Sequence, residues 1–154
     1  GQLHGALGAL ETAWWYGEGV PSERAASMAA LSHLLHALLR LEEDAERDRL
    51  PLPMARLARH GLSRGDLGKP GQARTDALRE QLADLQAAWR QAARLPGPLS
   101  VFRAVEARLG RRLASRAGKA AEPLAALREG QAGKGFGAVL GAWKAARDWH
   151  ARRD

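Results

Sequence analysis

Residues 23–41 read ERAASMAALSHLLHALLRL, and this stretch decides the fold. Its apolar residues recur at helical spacing but cover more than one face of the helix. A helix that is apolar around most of its circumference is expected in the centre of a bundle, because its apolar faces must be buried on several sides. Pro21 suits a first helical turn and Glu23 suits the positive end of a helix dipole. The sequence therefore predicts a central helix over about residues 21–48.

The composition around this helix also favours helices over strands. Ile is absent and Val occurs four times, whereas Ala fills about a fifth of the 154 positions. Strands prefer β-branched and aromatic residues, whereas Ala, Leu, Arg and Glu favour helices. We therefore predict an all-α helical bundle. The length suits one domain with a real core, so residues 1–154 are expected to form a single domain.

Other helices are predicted from apolar periodicity between Gly and Pro residues. They span residues 2–16, 54–60, 73–95, 100–118, 123–129 and 137–152. One helix carries a continuous apolar seam of Leu78, Leu82, Leu85 and Trp89. Aromatic residues expected in the core near the C-terminus are Phe136, Trp143 and Trp149. The glycine-rich stretches 63–71 and 130–137 are predicted to be loops.

Charge and cysteine content exclude some functions and leave others open. Cys is absent, which excludes disulfides, thiolate metal sites and a cysteine nucleophile. Polar residues interrupt the longest apolar stretch, so we expect a cytoplasmic protein that meets a membrane only peripherally, at its surface. Residues 103–154 carry twelve Lys/Arg and five acidic residues. This predicts a solvated basic surface or contact with an anionic partner, but the aromatic spacing does not favour nucleic acid.

Residues 33–67 read HLLHALLRLEEDAERDRLPLPMARLARHGLSRGDL and carry the most specific pattern in the chain. An acidic helix is followed by a Leu-Pro turn, a short helix, a Gly-Leu pair and an Asp-Leu pair. The residues that carry this pattern are Glu43, Asp44, Ala45, Arg47, Arg49, Leu52, Pro53, Leu57, Gly61, Leu62, Asp66 and Leu67. In order and spacing, this segment resembles the second aspartate-rich region of the squalene/phytoene synthase family, in the C-terminal half of those enzymes.

The resemblance implies a bundle like part of the terpenoid-synthase fold, because the chain is about half the length of family members. It also implies the family's chemistry, the head-to-head condensation of two isoprenyl diphosphates with Mg²⁺ between carboxylates and diphosphate. Two Asp at i and i+4 on one helical face hold such a cation through oxygen ligands. The cation then neutralises the diphosphate leaving group. If the chain is active, Mg²⁺ is its cofactor and Asp44 and Glu43 are the metal-ligand candidates.

The sequence departs from the family at the residue this chemistry needs most. The first Asp of the motif falls on Arg40, and no second aspartate-rich motif lies upstream of it. We expect Arg40 to pair with Asp44 at i+4, and a fixed positive charge weakens cation binding. The motif of Arg40, Glu43 and Asp44 is therefore interpreted as vestigial, with no cofactor expected.

Side chains near the motif remain candidates for ligand binding. A guanidinium fork suits phosphate oxygens, so Arg40 can contact a diphosphate directly. The ligand-binding candidates are His33, His36, Arg40, Arg47 and Arg49. The two histidines, at the family's Gln and Asn positions, can also be read as half a metal site. A catalytic zinc usually needs a third protein ligand, so an interior polar pair is the simpler interpretation.

Three functional hypotheses follow from these observations. The leading one is a catalytically degenerate helical module that binds a prenyl diphosphate, another lipid or a protein partner. The alternative is the C-terminal part of an active Mg²⁺-dependent prenyltransferase in isoprenoid biosynthesis, and the third is a basic adaptor for membrane surfaces or nucleic acid. Because a partial bundle leaves apolar helix faces uncovered, we also expect a homodimer or a missing protein partner.

Overall fold

The computed structural model describes residues 2–47, 49–131 and 136–151, and this part of the chain contains eight α-helices, one 3₁₀ turn and no strand. The helices are α1 Gln2–Tyr16, α2 Glu23–Leu39, α3 Leu41–Glu46, α4 Met54–Arg59, α5 Gln72–Ala92, α6 Val101–Gly118, α7 Pro123–Gln131 and α8 Phe136–His150. The prediction of an all-α helical bundle is confirmed.

The centre of the bundle is formed by α2, α5 and α6, which pack against one another. The predicted seam on α5 is confirmed, since Leu78, Leu82, Leu85 and Trp89 are all buried in the main core. From α2, Leu35 and Leu38 meet this seam, while Leu34 on another face stays partly exposed. The expectation that α2 lies at the centre of the bundle is therefore confirmed.

The predicted helix over residues 21–48 is interrupted at Arg40. This residue ends α2 and precedes α3, with φ −100° and ψ 18°, and its N–H bonds to the carbonyl of Ala37 three residues earlier. Leu41, directly after the break, is fully buried in the core. The prediction of one continuous helix was wrong here, because neither Gly nor Pro marks the break in the sequence.

Ion pairs hold α4 and the residue that follows it, His60, against α5. Arg56 on α4 is buried and contacts Asp84, while His60 Nε2 lies 2.7 Å from a carboxylate oxygen of Glu80. Residues 63–71, predicted to be a loop, contain the 3₁₀ turn Gly65–Gly68. This part of the chain is therefore more ordered than its glycine content indicates.

The outer helices α1 and α8 pack on α2 and α6 respectively. Over residues 139–150 of α8, Gly141 and Ala145 are buried, while Trp143 is more than half exposed and Trp149 is half-buried. The prediction that Trp143 lies in the core was wrong, because α6 approaches α8 over its small residues. The side chain of Phe136 and residues 132–135 of the predicted loop lie outside the described part. Among the described helices, none combines the length and apolar character needed to cross a bilayer.

Candidate functional site

The three motif residues Arg40, Glu43 and Asp44 lie at the junction of α2 and α3, and Arg40 and Asp44 do not form the predicted pair. Arg40 and Glu43 are exposed, whereas Asp44 is buried. No ion pair within 4.0 Å joins the described side chains of Arg40 and Asp44, so that prediction was wrong. Pairing at i and i+4 assumes an uninterrupted helix, and Arg40 is the residue at which the helix is interrupted.

The two candidate histidines have different environments. The half-buried His33 ring stacks on the ring of His4 in α1, with centroids 3.4 Å apart and planes at 15°. Burial lowers the pKa of His33, and the neighbouring His4 lowers it further. His36 is exposed to solvent, so the prediction of an interior polar pair was wrong for this residue. Histidine stacking therefore joins α1 to α2.

The predicted metal and ligand residues line neither of the two cavities described below. Arg47 and Arg49 are exposed beyond the end of α3, and both of their backbone N–H groups bond to the carbonyl of Asp44. Across the described residues, no three His, Asp or Glu side chains are placed to hold a metal ion together. The two candidate Mg²⁺ ligands therefore differ in environment, since Asp44 is buried and Glu43 is exposed.

Three of the residues that carry the family resemblance have packing roles. Leu52, Leu57 and Leu67 are buried in the main core. The backbone N–H and hydroxyl of Ser63 both donate to the carboxylate of Asp66, which closes the turn before Leu67. The 35-residue pattern thus begins in the last turns of α2, includes α3 and α4, and ends in the 3₁₀ turn before α5.

One buried arginine organises this connection. Arg74 on α5 donates to Glu42 on α3 at 2.8 Å and to the carbonyl of Leu67 at 3.2 Å. It also lies 3.4 Å from Glu122, just before α7, and Glu42 has a second partner in Arg128. The hydrogen bond from Arg74 is the main reason why the pKa of Glu42 is lowered. Sequence reasoning missed this network because its residues lie far apart in the chain.

A cavity of about 470 Å³ lies elsewhere, between the ends of α1, α5 and α8 and the sides of α2 and α6. Its wall is more apolar than polar, and small alanine side chains leave the space between the helices. The apolar lining residues are Met28, Ala93, Pro98, Leu99, Ala104, Ala107 and Ala145. Tyr16 and Trp149 complete the wall, and both donate a hydrogen bond to the carbonyl of Leu99.

The charged groups of this cavity are mostly engaged by the protein itself. Arg24 donates from Nε to the carbonyl of Leu95 at 2.7 Å, and Arg108 donates to Asp148 at 2.9 Å. This hydrogen bond from Arg108 is the main reason why the pKa of Asp148 is lowered. Arg111 also lines the cavity, and no described carboxylate lies within salt-bridge distance of its guanidinium. Arg111 is therefore a cation of this wall that remains open to a ligand.

A second groove of about 360 Å³ adjoins the first cavity. We call it the arginine groove, and its lining residues are Gln86, Arg90, Arg108, Arg111, Arg112 and Ser115. In the described part of the chain, Arg90, Arg111 and Arg112 have no carboxylate partner within 4.0 Å. Clustered guanidinium groups repel one another, so an anion in this groove would relieve the repulsion.

The sequence analysis identified the basic C-terminal third but not this groove. Its signal was present, since residues 108, 111, 112 and 115 share one face of a helix by i+3 and i+4 spacing. What the sequence did not show is that Arg90 on α5 faces the same groove. No protein-family model, curated protein or solved structure matches this chain. Its function is therefore inferred from the geometry of the two cavities and the resemblance of residues 33–67.

Proposed function

We propose that this chain is a non-catalytic binding module for an amphiphilic anion, a molecule with an apolar tail and a phosphate or diphosphate headgroup. One observation carries the proposal: Arg108 and Arg111 line both the apolar cavity and the arginine groove. A ligand that occupies both would place its tail among alanine side chains and its headgroup among guanidinium groups. Prenyl diphosphates and phospholipids share this chemistry.

The sizes and charges of the two spaces support this ligand class. The cavity of about 470 Å³ falls within the roughly 300–1,000 Å³ typical of small-molecule sites. Arginine forks bind phosphate oxygens in pairs, and the uncompensated Arg111 and Arg112 are the groups with free donors. The Tyr16 hydroxyl already donates to the carbonyl of Leu99, and the alanine, methionine and proline side chains of the wall suit an apolar chain.

The squalene/phytoene synthase resemblance supports the same ligand class by a separate route. An active Mg²⁺-dependent transferase would need carboxylates free to face the diphosphate. The carboxylate among the described cavity residues, Asp148, is held by Arg108. Binding of the ligand without loss of its diphosphate group therefore fits the geometry better than catalysis. We place the module in the cytoplasm, where it meets membranes peripherally when the amphiphile is a lipid.

The test is a set of calorimetric titrations of the purified chain without added metal. The probes are farnesyl diphosphate, lysophosphatidic acid, farnesol and inorganic pyrophosphate. We expect at least one of the two amphiphilic anions to bind ten-fold or more tightly than both farnesol and pyrophosphate, since only an amphiphile fills both spaces. The ranking of the two amphiphiles then decides between a prenyl and a glycerolipid source. Equal binding of pyrophosphate would overturn the proposal. So would tighter binding of an oligonucleotide in a fifth titration, or turnover of farnesyl diphosphate in a separate assay with added Mg²⁺.

Variants locate the site within the protein. The double substitution Arg111→Gln and Arg112→Gln is expected to weaken binding of the amphiphile ten-fold or more. Arg116→Gln is the matched control, because Arg116 is an exposed arginine on the same helix that lines neither space. Ala104→Phe, which fills the cavity, is expected to weaken binding of the amphiphile but not binding of pyrophosphate. An equal loss of amphiphile binding in Arg116→Gln would show a diffuse basic surface instead.

A further inference from the structure

Helix α1 packs on the bundle with its small residues. Gly8 is buried against α2, and a Cβ built on it would lie 2.6 Å from the carbonyl oxygen of Ala25. Thr12 is also buried, with its hydroxyl donating to the carbonyl of Gly8 at 3.0 Å. This close approach turns the large apolar side chains of α1 outwards.

The outward side of α1 is a continuous apolar stripe. Its members are Leu3, Leu7, Leu10 and Trp14, which are 70%, 49%, 68% and 87% exposed. They follow one another at steps of four, three and four residues, the spacing of a coiled-coil seam. Large exposed apolar patches on a folded protein usually mark an interaction site.

The stripe carries no charge. The acidic residue of α1, Glu11, is turned towards α6, where its carboxylate lies 2.7 Å from the guanidinium of Arg103. Helix α1 contains no Lys or Arg. Helices that lie in membrane interfaces usually carry Lys or Arg on their polar face, so an anionic bilayer is a poor match. A second uncharged stripe, in contrast, meets no electrostatic penalty.

We propose that the α1 stripe is the contact surface for a second copy of this chain, with the two α1 helices antiparallel about a two-fold axis. The four-three-four spacing is the same in both directions. Antiparallel pairing therefore sets Leu7 against Leu10 of the second copy and Leu3 against Trp14 of the second copy. Such an isologous contact closes on itself and uses identical surfaces.

The area of the stripe limits the size of this contact. Its four side chains together with the exposed Trp15 offer on the order of 500 Å² per copy. A standard stable interface buries about 800 Å² per partner. The dimer is therefore at the small end of the range and dissociates on dilution.

The first test is sedimentation velocity over a range of concentrations. The wild-type chain is expected to shift from monomer to dimer as concentration rises, and Leu10→Glu is expected to stay monomeric. Met54→Glu is the matched control, because it places the same charge at an exposed apolar residue on α4 and should dimerise like the wild type. Circular dichroism confirms that both variants are folded. A wild-type monomer at every concentration, or an unchanged dimer in Leu10→Glu, would refute the proposal.

The absence of Cys allows a second test of the arrangement. A mixture of Leu3→Cys and Trp14→Cys chains should form a mixed disulfide under mild oxidation, because the antiparallel contact sets these positions opposite each other. Leu3→Cys alone should form little disulfide, because its two copies would lie at opposite ends of the contact. Self-coupling of Leu3→Cys would indicate a parallel pair and contradict the geometry. A monomer that binds neutral vesicles, with binding lost in Leu10→Glu, would assign the stripe to lipid instead.

Discussion

Arg74 and Glu42 form a 2.8 Å ion pair that joins α5 to α3 in the interior of the bundle, where the Arg74 side chain is only 2% exposed. A buried guanidinium needs partners on several sides, because its desolvation is costly. Here Glu42, Glu122 and the carbonyl of Leu67 supply them. One side chain therefore connects three segments that are far apart in the sequence.

Removing this arginine is expected to destabilise the fold. We expect Arg74→Leu to lower the free energy of unfolding by about 2 kcal/mol, less than the roughly 3–5 kcal/mol for a fully buried pair. The effect is smaller because Glu42 is partly exposed and keeps Arg128 as a partner. Urea denaturation measures it. Arg90→Leu, at an exposed position on the same helix, should change stability by less than about 0.5 kcal/mol.

The same pair makes stability depend on pH. Arg74 lowers the pKa of Glu42 in the folded state, so the unfolded state binds more protons as the solution becomes acidic. The contribution is fully present above the unfolded pKa, near pH 4.5, and is lost as the pH falls through the folded value. Unfolding free energies between pH 3 and 6 should therefore vary less in Glu42→Gln than in the wild type. Glu43→Gln, at the exposed neighbouring carboxylate, should retain the wild-type profile.

Two glycines of α1 should respond oppositely to the same change. Gly8→Ala places a Cβ 2.6 Å from the backbone of Ala25, so we expect a loss of about 1–3 kcal/mol in stability. Gly5→Ala meets nothing within 4 Å and should add up to about 1 kcal/mol, because alanine favours helices. Thermal and urea unfolding of both variants measure the difference. Equal effects would mean that α1 does not pack on α2 through Gly8.

The stacked histidines predict a titration that NMR can follow. Burial, together with the nearby ring of His4, lowers the pKa of His33 below its usual value. In His4→Ala the His33 resonance should titrate at a higher pH, because both burial and electrostatic repulsion decrease. His60→Ala, which changes a histidine bound to Glu80, should leave the His33 titration unchanged. A His33 pKa that is unaffected by His4→Ala would contradict the stacking.

Periodicity predicted the fold well where burial follows side-chain size. The α5 seam from Leu78 to Trp89 is such a case, because its large apolar residues are the buried ones. The same reasoning was wrong for Trp143, because α8 buries Gly141 and Ala145 and turns the tryptophan outwards. Close approach of two backbones is a tertiary property that a single helix does not reveal.

The candidate site was predictable only in part for a related reason. Arg108 and Arg111 share a helical face that the sequence shows, but Arg90 joins them only because α5 packs on α6. The apolar spacing also did not predict the break at Arg40. Because of this break, the motif residues do not share one regular helical face. Groups that assemble from distant segments need the packed structure to be recognised.

The carbonyl of Leu99 accepts hydrogen bonds from Tyr16 at the end of α1 and from Trp149 near the end of α8. A carbonyl oxygen has two lone pairs, so these two donors saturate it. The first and last helices of the bundle are thereby anchored to the same point on the α5–α6 connection. Local opening of this connection would release both outer helices together, and their amide hydrogens should exchange with solvent as one cooperative unit.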